Sequence, residues 1–83
     1  MITVATNTME LLDVTAEHLA RRAREQERDL ADRMTMNGHV IVAKAVWRSN
    51  RAGRSVYRCW ELDGRKVGRN HLAAALRRLG LAE

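Results

Sequence analysis

Two runs, HVIVAKAVWR at 39–48 and SVYRCWEL at 55–62, constrain this chain more than any other feature. Both are rich in β-branched and aromatic side chains, which pack well on a pleated surface. The residues between them, Ser49-Asn50-Arg51-Ala52-Gly53-Arg54, have turn chemistry. The pair reads as a β-hairpin. With the loop centred between Arg51 and Ala52, Trp47 faces Val56, Ala43 faces Trp60 and Ile41 faces Leu62. That face is apolar apart from Arg58 and is the expected core side. The opposite face carries Lys44, Val46, Arg48, Tyr57, Cys59 and Glu61. A slip of one residue exchanges the two faces, so everything placed on them depends on this register.

Asp63-Gly64 is a strong two-residue hairpin signal. It returns the chain into a short third strand, Arg65–Val67. Asn70 is placed to cap a C-terminal helix over His71–Leu79, with Leu72, Leu76 and Leu79 as its inner stripe. Arg77 and Arg78 suit the negative end of the helix dipole. Gly80 followed by Leu81 has the form of a glycine stop with its hydrophobic contact.

Before the hairpin, apolar residues recur at spacings of three and four: Ala16, Leu19, Ala20, Ala23, Leu30, Ala31 and Met34. This pattern predicts one long helix from an N-cap at Thr15 to about Met36, closed by Asn37-Gly38 in left-handed geometry. Glu17–Arg21, Arg21–Glu25, Arg28–Asp32 and Asp29–Arg33 then stand four apart, each pair contributing about 0.2–0.5 kcal/mol. The narrow stripe also suits a seam with a partner or a second copy, through Leu19, Ala23, Leu30 and Met34. Residues 1–12 read as a flexible arm or, through Ile2, Thr3 and Val4, a short edge strand. The expected fold class is α+β in the order α-β-β-(β)-α: a long N-terminal helix, a small antiparallel meander and a short C-terminal helix in a single domain, 1–83.

An 83-residue chain has a thin stability margin. Its one cysteine, Cys59, excludes an internal disulfide and favours a reducing compartment. His18, His39 and His71 lack neighbours at metal-ligand spacing, so neither a metal nor a cofactor is expected. Oligomerisation is the remaining aid to stability, and a homodimer is the expected state. No run approaches the roughly 18 apolar residues of a membrane span, and the N-terminus lacks the form of a signal peptide. No membrane partner is expected, and the expected location is the cytoplasm.

Catalytic readings find little support. Gly53, Gly64 and Gly68 lack the spacing of a phosphate loop. Glu61 and Asp63 share a side of one strand, an arrangement that can do acid–base work but also simply flanks a turn. Cys59 falls in mid-strand, where packing is its ordinary role. The chain is expected not to be an enzyme.

Charge is the sharpest functional feature. Residues 1–37 hold five arginines against seven acids, a net −2, whereas residues 38–83 hold ten lysines and arginines against three acids, a net +7. Arginine outnumbers lysine thirteen to two. Guanidinium groups grip phosphates bidentately and stack on bases. The expected contacts are Lys44, Arg48, Arg51, Arg54, Arg58, Arg65, Lys66 and Arg69, with Tyr57 available to stack a base. The first expectation is therefore a regulatory nucleic-acid-binding protein. The second is an inhibitor or adaptor docking on an acidic protein surface, in the style of phage anti-defence proteins. The third is an oligomerisation module, in which the arginines only maintain solubility and guard strand edges.

Overall fold

The computed structural model describes residues 8–81, and the arm-or-strand reading of residues 1–7 lies outside them. Six elements follow in order: α1 (Thr8–Gln26), β1 (Leu30–Met36), β2 (His39–Asn50), β3 (Gly53–Leu62), β4 (Arg65–Val67) and α2 (Arg69–Arg78). The strands form one antiparallel sheet in the order β1-β2-β3-β4, a simple meander. The fold is α+β, with an N-terminal helix and a short C-terminal helix. Met9, Leu12, Ala16, Leu19 and Ala23 of α1, together with Leu72 and Leu76 of α2, bury against Ile41, Ala43, Ala45 and Trp60 of the sheet.

The hairpin register matches the sequence reading. Trp47 pairs with Val56, Ala43 with Trp60 and Ile41 with Leu62, and Asn50 pairs with Gly53 across Arg51-Ala52. The Asn50 side chain accepts the Ala52 N–H at 2.9 Å and closes this loop locally. The second turn also forms as expected. Leu62 pairs with Arg65, and Asp63 and Gly64 take φ of 51° and 85°, both left-handed as a two-residue hairpin of the primed type requires.

The N-terminal half needs correction. The helix does not run from Thr15 to Met36. It spans Thr8–Gln26. Residues 8–12 are therefore helical rather than part of an arm. Thr15 is no cap but sits within the helix, its hydroxyl bonding the Leu11 carbonyl at 2.9 Å. Glu27 ends the helix in left-handed geometry at φ 53°, and the Arg28 N–H reaches back to the Ala23 carbonyl at 3.2 Å. Leu30–Met36 is an edge strand, and Asn37-Gly38 (φ 48° and 81°) is its hairpin turn into β2. The reason lies in the spacing. Leu30 and Met34 stand four apart, which places two residues on one face of a helix and equally on one face of a strand. Asn-Gly likewise serves a helix stop and a hairpin. Asp29–Arg33 and Arg28–Asp32 are consequently not helical pairs.

At the other end, α2 begins at Arg69 with Gly68 as its N-cap; the expected Asn70 cap is not used. Leu72, Ala75 and Leu76 are its buried residues, whereas Leu79 is 39% exposed. The glycine stop forms as expected. Gly80 is left-handed at φ 73°, its N–H meets the Arg77 carbonyl at 3.1 Å, and the Leu81 N–H meets the Leu76 carbonyl at 2.8 Å.

Candidate functional site

The middle hairpin outgrows its neighbours. Pairing with β1 ends at Leu30–Ala45, and pairing with β4 ends at Trp60–Val67. Beyond those pairs β2 and β3 continue to the Asn50–Gly53 pair with no strand on either side. Five further residues of β2 make an overhang of about 17 Å at the usual rise per residue. At its base the Asp29 carboxylate accepts the Trp47 N–H at 2.7 Å, satisfying a backbone donor where β1 is no longer available. Residues 46–59, VWRSNRAGRSVYRC, contain four arginines and no acid. A two-stranded ribbon with no strand on either edge and one sign of charge in its own sequence results.

The expected contact residues divide between the faces of the sheet, so they do not form one patch. Pairing places Lys44, Arg48, Tyr57 and Lys66 on the face away from the helices, with Arg54, Arg58 and Arg65 on the helix side. Arg51 lies in the loop at the ribbon tip, and Arg69 opens α2. Three cations are held by carboxylates. Lys44 bonds Glu61, whose hydrogen bond and charge keep the ammonium protonated to higher pH than an ordinary lysine. Arg54 meets Glu27 at 3.1 Å. Arg69 meets Asp13, whose hydrogen bonds and charge raise the guanidinium pKa further. Arg48, Arg51, Arg58, Arg65 and Lys66 have no carboxylate partner among the described residues, and Tyr57 is 56% exposed.

The expected seam is also redistributed. Leu19 and Ala23 are buried beneath the chain's own sheet, and Leu30 and Met34 lie on β1, packed against the same core. The stripe that suggested self-association is thus intramolecular core, because the continuous helix that would have displayed it does not exist.

The alternative chemistry found in the sequence is engaged structurally. The Asp63 carboxylate accepts from the Val40 N–H at 2.9 Å and contacts His39 Nδ1 at 2.8 Å. The Asp63 N–H returns a bond to the Val40 carbonyl at 2.8 Å. These contacts lower the Asp63 pKa, the His39 hydrogen bond most of all. Among the described residues no cluster of His, Cys, Asp and Glu could hold a metal ion, and no helix is long and apolar enough to cross a membrane.

Sequence reasoning also passed over Arg21 and Arg24 of α1. They line a groove of about 370 Å³ with Glu17, Ala20, Val56 and Arg58. In the sequence Arg21 stood in expected helical pairs with Glu17 and Glu25, and Arg24 stood on the polar side of the helix with no role assigned. Neither has a carboxylate partner among the described residues.

The fold and the overhanging ribbon define a small α+β protein carrying a basic β-hairpin. No protein-family model, curated protein or solved structure matches the chain.

Proposed function

We propose that this is a non-catalytic nucleic-acid-binding protein that inserts the overhanging part of the β2–β3 hairpin into a groove of the duplex. One observation carries the reading: an acid-free segment with four arginines overhangs the sheet as a two-stranded ribbon with no strand paired to either edge. A ribbon of that width fits the major groove. Arg48 on its outer face and Arg51 at its tip are exposed, and neither is held by a carboxylate. Both are thus available for phosphate oxygens or for the acceptor edge of guanine. Asn50, Ser49 and Ser55 add neutral donors and acceptors beside them. In this reading the binding unit is one chain.

The test is the salt dependence of binding to a mixed-sequence DNA duplex. Each phosphate contact contributes about −0.9 to the slope of log K against log salt. The double variant Arg48→Ala, Arg51→Ala should bind more weakly and flatten that slope by about two. Parallel pull-downs with and without nuclease address the competing partner class. A protein captured equally well after nuclease treatment, with no salt-sensitive binding to duplex or single strand, replaces this reading with an acidic protein surface.

A further inference from the structure

Resting on that reading, we infer that the groove between α1 and β3 is a second phosphate-contact site, holding the backbone of the nucleic acid gripped by the ribbon. Arg21 and Arg24 stand one helical turn apart on α1, and Arg58 faces them from the helix side of β3. Three guanidinium groups thus border one groove. The single acid there, Glu17, is paired with none of them. Three cations against one unpaired carboxylate leave a net positive potential, and the like charges repel one another. A bound phosphate removes that repulsion and accepts the forked donors bidentately. Ala20 and Val56 supply an apolar floor along which the arginine stems can lie.

The groove is also continuous with the ribbon. Val56 and Arg58 belong to the acid-free segment, and the acid that borders it on the helix side, Glu27, is offset by its pair with Arg54. Arg58 borders a second groove of about 370 Å³ as well, with Lys66 on its far side. Lys66 itself lies on the opposite face of the sheet, so Arg58 is the cation that the α1 groove and this second groove share.

The experiment compares the whole chain with Arg21→Ala, Arg24→Ala and with Arg48→Ala, Arg51→Ala on the same duplex over a salt series. Alanine is the best helix former, so α1 is retained, and circular dichroism checks it. The groove variant should flatten the salt slope by about two, as the ribbon variant does. Glu17→Gln should tighten binding by removing the one repulsive charge. If the ribbon variant loses affinity while the groove variant keeps wild-type affinity and slope, this inference falls and the proposed function stands. If the wild type binds neither duplex nor single strand at low salt, the proposed function falls. The groove is then decided by titration with inorganic pyrophosphate, followed by NMR at the arginine Nε–H groups. Saturable shifts confined to Arg21, Arg24 and Arg58 sustain a phosphate site served by a free anion, and their absence overturns it.

Discussion

Arg69 grips Asp13 with two hydrogen bonds, Nε to Oδ1 at 2.9 Å and Nη2 to Oδ2 at 2.5 Å, joining the first residue of α2 to α1. Leu72 and Leu76 of α2 share the buried core with Met9 and Leu12 of α1, and the Thr8 hydroxyl donates to the Leu81 carbonyl, so the fork is one of several ties between the two helical ends of the fold. Exposed ion pairs usually contribute little, but bidentate geometry is the exception worth testing. Arg69→Ala and Asp13→Asn should each lower the melting temperature slightly. Together they should lower it by less than the sum of the two, and the difference should shrink in high salt. Strict additivity in low salt would show that the fork contributes nothing.

Asp63 makes stability depend on acid. Its folded pKa lies below the ordinary 3.8, chiefly because of the His39 hydrogen bond and then the Val40 N–H. Protons therefore bind the unfolded chain first. The contribution is complete above the ordinary carboxylate value and is lost as pH falls through the lower folded value. Urea midpoints should drop more steeply below about pH 4 in the wild type than in Asp63→Asn. Asparagine tolerates the left-handed backbone of this turn, so the variant isolates the charge.

Glu27 occupies left-handed backbone at the end of α1, φ 53°, where glycine is the usual residue. A side chain there costs about 1–2 kcal/mol, part of which glycine's own entropy would cancel. Glu27→Gly removes the strain and also the exposed pair with Arg54 at 3.1 Å, a pair of small value. The expected net effect is a gain of up to about 1 kcal/mol by urea unfolding. A clear loss would mean that the Arg54 pair matters more than its exposure suggests.

The core separates two kinds of substitution. Ile41 is completely buried between the sheet and the helices, and Ile41→Ala should cost about 2–5 kcal/mol. Trp60 is 8% exposed, and its indole N–H is buried with no acceptor among the described residues. Trp60→Phe leaves a smaller space and also removes that unpartnered donor, so it should cost less than Ile41→Ala. Equilibrium unfolding of the two variants gives the order directly.

Local chemistry made the second half of the chain readable. In HVIVAKAVWR and SVYRCWEL the alternation of apolar residues allows one register with a continuous core face, and Asp63-Gly64 and Gly80 permit backbone angles few other residues accept. The first half was not readable in the same way. Leu30 and Met34 satisfy both the helical and the strand period, and Glu27 gives no compositional sign that a helix stops there. What decides between helix and strand is a partner: β2 has an open edge whose backbone groups need a neighbour, and Leu30–Met36 satisfies them.

The same division applies to the site. The amino-acid order alone determined that arginines crowd residues 48–58 and that no acid accompanies them. Tertiary structure alone decided that β1 and β4 stop short and leave the hairpin as a ribbon with no strand on either edge, that Arg54 and Arg69 are taken up by Glu27 and Asp13, and that Arg21 and Arg24 face Arg58 across a groove. Charge is a property of each residue, whereas pairing depends on distances that chain separations of 27 and 56 residues do not reveal.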